Sequence, residues 1–314
     1  MNPSLGIIIV SWNVADVLRC CLLAVTKSLA DHGLTATIYV VDNASHDGTP
    51  TMLQAEFPAV HLIEAGANLG FGAGNNLALR LALAAAHRYL LLLNPDTKPE
   101  ADAIPQLVYW LESHPKVALV GPRLIYGDGT PQPSRRRFPN WLSMAWESTP
   151  LERLWPGNPW AARYRCADRP DDHEQAVDWL VGAALLVRAE AVRRGGLFDE
   201  RFFMYSEELE WQARLSRAWG HSEAIWYTPT ATIHHYEGKS SEQAVVARYL
   251  HFNQSKLLLA RMWYGWQAAA LLRVVIRLGF GYELVNEVVK LLLAHRPELR
   301  RQRIGVYWSV LRHL

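Results

Sequence analysis

Three acidic residues within four positions, Glu207, Glu208 and Glu210, close the run GGLFDERFFMYSEE and open a helical pattern. Acidic side chains suit a helix N-terminus because of its dipole, but three are more than capping needs. A carboxylate packed among Phe202, Phe203 and Tyr205 would be pushed up in pKa by desolvation, as a general base can require. Asp96 follows the apolar run LLLL and the turn Asn94-Pro95, where an oxygen ligand suits Mg²⁺ or Mn²⁺. Such a cation could bridge a diphosphate and neutralise charge on a leaving group. Alone, one Asp at a turn is usually a turn residue. His234 and His235 lie beyond a strand-like run, where a neutral imidazole could complete a metal site or be structural.

Further upstream, Asp42-Asn43-Ala44-Ser45 ends an apolar run. A carboxylate there can accept hydrogen bonds from a ribose or base edge, or cap the next helix. Asn68-Leu69-Gly70-Phe71-Gly72-Ala73-Gly74-Asn75 has the spacing GxGxG after a third strand, which is a poor dinucleotide fingerprint. Its glycines either let backbone approach a phosphate or sugar or form a plain turn.

These residues need a scaffold, and the pattern supplies one. Apolar runs at 5–11, 35–42, 60–64, 89–93 and 117–120 read as strands, and 177–188 resumes the pattern. Segments 14–30, 75–87, 100–113 and 206–219 have helical spacing, and 224–235 contains strand-like runs. Apolar strands each followed by a helix argue for an α/β protein with a mostly parallel sheet covered on both faces. Ligands bind beyond the carboxyl ends of such strands. That places Ser11, Asn13, Asp42, Asn43, Asn68, Gly70, Gly72, Asn75, Asn94 and Asp96 at the candidate ligand edge. The stretch 131–176, rich in Pro and Trp with Arg135-Arg136-Arg137, is expected to be an irregular insertion. From 242 to 314 the chain is expected to be helical.

The chain has 314 residues, 50% hydrophobic and 20% charged, an ordinary globular balance. Lys+Arg 32 against Asp+Glu 30 gives +2, which does not suggest nucleic acid. Three cysteines make no disulfide framework, so a reduced cytoplasmic compartment is expected. No signal-peptide pattern opens the chain and no stretch of about 18 uncharged apolar residues occurs, so no membrane span is expected. The charge is uneven. From 256 onward there are 10 Lys/Arg and 3 Asp/Glu, net +7, against net −5 for the remainder. A basic, apolar tail on an acidic body suits an anionic lipid surface, or a helical face that packs on the body.

In order, these blocks resemble the family 2 glycosyltransferases, and among them the bacterial rhamnosyltransferase-like branch. The resemblance is carried by VSWN at 10–13, VVDNAS at 40–45, DGT at 47–49, NLGFGAGNN at 68–76 and LLLNPD at 91–96. It continues in DWLVGAALLVR at 178–188, GGLFDERFFMYSEE at 195–208 and HHYEGKSS at 234–241. It implies a GT-A fold over 1–241, with a Rossmann-like sheet flanked by helices. It also implies a nucleotide-diphosphate sugar donor, dTDP- or UDP-linked, and a divalent cation, Mg²⁺ or Mn²⁺. Asp42 resembles the nucleoside contact. Asn94-Pro95-Asp96 stands at the DxD position, so Asp96 would ligate the metal, with His234 resembling the later metal histidine. Glu207-Glu208 matches the Glu-Asp pair whose second member is the catalytic base, here one methylene longer; Glu207 or Glu210 are the alternatives. Trp179 and Gly182 fall in the block lining the donor sugar and acceptor.

The resemblance implies single displacement with inversion, Glu208 taking the proton of the acceptor hydroxyl. The best match is L-rhamnose from dTDP-rhamnose, passed to a lipid-linked saccharide or polysaccharide acceptor in cell-envelope glycan synthesis. The tail fits a peripheral position on the inner face of the plasma membrane. Arg273 and Arg277 share one helical face, Glu283, Glu287 and Lys290 line another polar face, and Trp263, Tyr264, Trp266 and Tyr282 suit a headgroup boundary. A sugar nucleotidyltransferase is the rival enzyme, but its glycine-rich basic signature after the first strand is absent. A non-catalytic nucleotide-sugar- or glycan-binding scaffold is the rival class, kept open by the Glu at 208.

Overall fold

The computed structural model describes residues 4–221, 223–236, 245–293 and 296–314. Its first half alternates strand and helix: β1 (Leu5–Ser11), α1 (Ala15–Asp31), β2 (Ala36–Asp42), α2 (Thr49–Glu56), β3 (His61–Glu64), α3 (Gly70–Ala84), β4 (Tyr89–Leu93), β5 (Thr97–Pro99), α4 (Ala103–Ser113) and β6 (Leu119–Ile125). Short elements follow: β7 (Pro131–Gln132), β8 (Arg135–Arg136), α5 (Trp141–Glu147), α6 (Leu151–Leu154), α7 (Pro159–Tyr164), β9 (Gln175–Ala176) and β10 (Trp179–Leu180). The chain then returns through β11 (Ala184–Arg188), α8 (Ala189–Gly195), α9 (Glu207–Trp219) and β12 (Ile225–His235), and ends in α10 (Val245–Leu292) and α11 (Pro297–His313).

The main sheet runs β3-β2-β1-β4-β11-β6-β12-β5, with β7 on β6 and β9 on β12. Strands β1 to β4 pair in parallel and so do β6 and β12, as the apolar strand–helix alternation predicts. β11 runs antiparallel to both β4 and β6. Successive strand residues feed opposite cores. Ile7, Ile9, Val40 and Leu91 pack with Leu18 and Leu22 of α1 and Leu107 and Leu111 of α4. Ile8, Tyr39, Val41 and Leu92 pack with Ala78 and Leu79 of α3, Val192 of α8 and Trp211 of α9. Both faces are therefore covered, which is why these strands are apolar throughout rather than alternating.

Two expected elements differ in detail. The helix expected over 75–87 starts earlier, at Gly70, so the glycine segment is its first turn rather than a loop. The strand pattern at 177–188 is broken at 181–183. β10 pairs with β8 in a separate ribbon, while β11 joins the main sheet. The break follows from Gln212, whose side chain accepts from Leu180 N–H (2.9 Å) and donates to Leu180 O (2.7 Å), holding β10 on α9.

The chain forms two compact units. One comprises Met1–Arg137, Arg169–Phe203 and Glu207–Ser240; the other comprises Phe138–Asp168, Met204–Ser206 and Ser241–Leu314. The expected insertion 131–176 thus contains ordered pieces, and its central part groups with the C-terminal helices. Asn140 and Asn158 cap α5 and α7 through their side-chain oxygens. The boundary expected at 241/242, and residues 237–241 of the last block, lie outside the described residues.

In the second unit α10 is interrupted at Gly265, whose φ of 87° no helix contains. Beyond it, Gly279 lets the helix pass the main chain after α5, since a Cβ there would lie 2.4 Å from Ser148 O. Glu287 is buried rather than lining a polar surface. Arg300 of α11 donates to it at 2.8 Å, with Lys290 and Arg303 at 3.4 and 3.6 Å. Glu283 pairs with Arg153 at 3.0 Å. Trp263 packs edge-on against Phe138, and the Tyr264 hydroxyl donates to Pro139 O. Breaking a buried pair from one side leaves the other charge uncompensated. Arg300→Leu is therefore expected to cost about 3–5 kcal/mol in urea unfolding, with the Arg300→Leu/Glu287→Leu pair recovering most of it.

Candidate active site

The strand ends converge as the parallel topology requires. Ser11 and Asp42 are register partners at the carboxyl ends of β1 and β2. Both are buried, as is Asn43. Asp42 accepts from Ser45 N–H through Oδ2 (3.0 Å), but Ser11 Oγ, Asp42 Oδ1 and Asn43 Oδ1 are buried with no hydrogen-bond partner. Buried polar groups left unpaired cost free energy, so a hydroxyl and two acceptors at the ends of two adjacent strands mark an edge where a polar ligand can complete the bonding. Asn13, with φ 53°, braces this edge by accepting from His46 N–H (2.7 Å) while its own N–H donates to Ser45 Oγ. Asp47 of the DGT block accepts from Ala15 N–H and from Thr49, holding the starts of α1 and α2.

The glycine segment does a different job from the open phosphate cradle allowed by its composition. Asn68 Oδ1 accepts from Gly70 N–H (3.0 Å), and Asn43 Nδ2 donates to Gly70 O (3.0 Å). Phe71 N–H donates to Phe203 O at 3.0 Å. A Cβ on Gly70 would lie 2.0 Å from that same oxygen, at φ +80°, and one on Gly74 would lie 2.9 Å from Val10 Cγ1. Gly72 faces Phe198 and Glu207 at 3.3 and 3.7 Å. The glycines thus serve close internal packing. Asn75 is buried and spends its amide on Phe71 O. Asn76 instead grips Phe198, donating to its carbonyl and accepting from its N–H.

At the end of β4, Asn94 N–H donates to Ala183 O (2.9 Å). Asp96 is buried and meets a histidine, but that histidine is His235 and not the expected His234. His235 Nε2 lies 3.3 Å from Asp96 Oδ1 and 3.5 Å from Asn94 Nδ2. His234 is partly exposed and sits 3.6 Å from Glu100. Consecutive strand residues point to opposite faces, so only one of the two can turn toward Asp96. The other ring nitrogen, His235 Nδ1, lies 2.9 Å from Gln132 Oε1. As oriented, that oxygen only accepts, so Nδ1 donates to it and Nε2 is the ring nitrogen left facing the Asp96 carboxylate. A carboxylate oxygen beside an imidazole nitrogen whose far N–H is held by an acceptor is a donor set that fits a divalent cation. Among the described residues no cluster of three or more His, Cys, Asp or Glu forms a fuller cage. A cation held by Asp96 and His235 would take its remaining ligands from diphosphate and water, as Mg²⁺ commonly does.

The acidic helix lies beside the same edge. Glu210 is committed to Arg214, whose Nε donates to both of its carboxylate oxygens (2.8 and 2.9 Å) while the other two nitrogens donate to Gly195 O and Leu197 O. Glu208 faces Gly182, where a Cβ would meet its Cβ and Cγ at 3.5 Å. Its Oε2 is buried without a partner. Burial pushes the Glu208 carboxyl above the ordinary range, partly opposed by the backbone N–H groups of Glu208, Leu209 and Gly182 and by the Arg136 guanidinium. Glu207 is buried, and Glu208 is half-buried. Tyr205 and Ser206, just before α9, have φ of 72° and 65°, left-handed values that side chains other than glycine adopt at a cost. Ser206 is therefore not in the extended conformation of a usual N-cap. Trp179 is buried, its indole donating to Arg137 O (3.0 Å). Sequence pattern alone named His235 only as one of a pair and Arg136 only within an arginine run, and missed Gln132 and Gln212. Strand parity carries a signal for the histidine, whereas Gln132 and Arg136 sit where no periodicity exists.

Known proteins resemble this chain in both sequence and fold. The profile of glycosyl transferase family 2 matches residues 6–167. The N-acetylglucosaminyl-diphospho-decaprenol L-rhamnosyltransferase of Mycobacterium tuberculosis is 32% identical over 244 residues, 75% of this chain and 78% of that protein. A low-salt glycan biosynthesis hexosyltransferase, Agl10 of Haloferax volcanii, is 26% identical over 58% of this chain and 54% of its own length. Among solved structures, a mannosyltransferase of Pyrobaculum calidifontis in complex with GDP-Man and Mn²⁺ superposes with TM-score 0.55 at 16% identity, covering 99% of this chain and 86% of that one. GalNAc-T7 with UDP, GalNAc and Mn²⁺ superposes with TM-score 0.57 at 12% identity, covering 84% of this chain, which spans about half (48%) of its length. The fold is the GT-A fold of these glycosyltransferases. The chain belongs to glycosyl transferase family 2.

Two measurements check the site. In titration calorimetry with Mn²⁺ and a nucleoside diphosphate, Asp96→Ala and His235→Ala are expected to lose cation-dependent binding while His234→Ala keeps it. Gln132→Leu should weaken it by about 10–100-fold, the usual effect of losing an outer partner. Glu208 has a folded pKa above its unfolded one, so the native state holds an extra proton between the two, and stability falls as pH rises through that window. Glu208→Gln should therefore melt at a higher temperature than the parent at pH 7, and the gap should close as pH falls below the ordinary carboxylate range.

Proposed function

We propose that this glycosyltransferase is a metal-dependent inverting enzyme. It moves a sugar from a nucleoside diphosphate to a hydroxyl of a lipid-linked saccharide in cell-envelope glycan synthesis, at the inner face of the plasma membrane. L-Rhamnose from dTDP-rhamnose is the favoured donor. The reading of sugar and acceptor is supported by the mycobacterial relative, whose name states rhamnosyl transfer to N-acetylglucosaminyl-diphospho-decaprenol. The observation that carries the mechanism is Glu208: half-buried, raised in pKa, with a buried and unpartnered Oε2 beside Gly182, while Glu210 is held by Arg214.

Ser11 Oγ, Asp42 Oδ1 and Asn43 Oδ1 would hold the nucleoside. Asp96 and His235 would hold the divalent cation, Mg²⁺ or Mn²⁺, which when bound neutralises charge on the departing diphosphate. Glu208 Oε2 takes the proton of the acceptor hydroxyl as that oxygen bonds to the anomeric carbon. The bond from that carbon to the diphosphate breaks, and its electron pair leaves with the phosphate oxygen. Burial helps because a base with a raised pKa holds the abstracted proton more firmly at neutral pH. One displacement inverts the anomeric carbon, with no second carboxylate acting as nucleophile.

Glu208→Gln keeps the shape and removes the proton acceptor. Its turnover is expected to fall by about 10²–10⁴-fold with donor affinity unchanged. Glu207→Gln is the control within the same helical turn. Near-normal turnover in Glu208→Gln with an inactive Glu207→Gln would move the base to Glu207. Donor choice is read from thermal shifts with dTDP-rhamnose against UDP-sugars, the true donor raising the melting temperature most.

A further inference from the structure

We propose that the solvent-facing side of α10 beyond Gly265 is a membrane-docking face, lying flat on an anionic lipid surface. This gives the membrane location proposed above a specific surface. Leu271, Val274, Leu278, Tyr282, Val285, Val289 and Leu292 recur at steps of three and four and so form one stripe. Each is well exposed, from 46% for Tyr282 to 80% for Leu292. No charged residue interrupts the stripe, which runs for about 30 Å along the helix. The helix cannot turn it inward, because its other side is already occupied. Leu272 and Ile276 are buried there, and Glu287 is locked to Arg300. An uncharged apolar stripe of this length on the outside of a helix marks an interaction surface.

Charge selects the occupant. Arg273 and Arg277 are exposed on the row beside the stripe and form no ion pair among the described residues. The acids of α10 are withdrawn, Glu283 to Arg153 and Glu287 to Arg300. Trp266 stands 70% exposed at the start of this segment, and Tyr282 lies midway, both suited to a headgroup boundary. A second copy seated on the same stripe would bring two like-charged arginine rows together, whereas anionic headgroups satisfy them. Among the described residues no helix is long and apolar enough to cross a bilayer, so this one would lie in the interface rather than span it.

Flotation of the full chain with phosphatidylcholine–phosphatidylglycerol vesicles tests this, with pure phosphatidylcholine vesicles alongside. The parent is expected to float with the mixed vesicles. Leu278→Glu/Val285→Glu should reduce the bound fraction at least tenfold at every salt concentration. Arg273→Gln/Arg277→Gln should lose the preference for anionic vesicles. Circular dichroism and Mn²⁺-dependent nucleoside diphosphate binding of both variants should match the parent, since all four positions are exposed and distant in sequence from the site. A double-glutamate variant that floats like the parent overturns the proposal. So does a parent that fails to float, and a dimer by light scattering that the glutamates dissociate would then assign the stripe to a second copy. Flotation needs no sugar donor, so an inactive enzyme that still floats would sink the transferase mechanism and leave this face standing.

Discussion

The main chain of α3's first turn touches the main chain that precedes the acidic helix, and the site depends on this contact. Phe71 N–H reaches Phe203 O at 3.0 Å only because Gly70 has no side chain and a φ of 80°. On its other side Gly70 is held by Asn43 and Asn68. A continuous set of hydrogen bonds therefore runs from the end of β2, through the start of α3, to the segment leading into α9. Any side chain at position 70 would push these apart. The edge at the end of β2 and the acidic helix are placed relative to each other by sterics at one residue, and the hydrogen bonds hold what the sterics permit.

Around that contact the molecule tolerates a set of unfavourable features. Four buried polar atoms, on Ser11, Asp42, Asn43 and Glu208, have no partner, and two successive residues before α9 hold left-handed backbone. Each costs stability on its own. They survive because the sheet beneath is apolar on both faces and covered by helices, so the strand ends cannot collapse onto the unsatisfied groups. Gln212 adds to this rigidity, clamping β10 on α9 so that Gly182 stays against Glu208. Preorganised polar groups in a dry, rigid setting are what stabilisation of developing charge requires.

The second unit follows an opposite logic. There Glu283 and Glu287 turn inward to meet arginines and leave apolar and basic side chains of α10 outside. The Glu287–Arg300 pair does more than join two helices. By consuming the acid on the inner face of α10 it sets which rotation of that helix is folded, and so which stripe is left to solvent.

The amino-acid sequence alone determined the α/β class, most strand positions and the order of the motif blocks, and it singled out Asp42, Asp96 and the glutamate cluster as candidates. Those features are local: apolar runs of strand length, helical spacing and acidic residues at strand or helix ends are visible along the chain. Tertiary structure alone decided between neighbours. It turned His235 rather than His234 to Asp96, because consecutive residues of β12 point to opposite faces of the sheet. It removed Glu210 from contention by giving it Arg214, and it brought in Gln132 from a stretch without periodicity. It also buried Glu287, which helical spacing had placed on a polar face. Each of these rests on contacts between residues far apart in the chain, or on a choice of face, and a one-residue or 100° difference leaves composition and spacing nearly unchanged while reversing what a side chain meets.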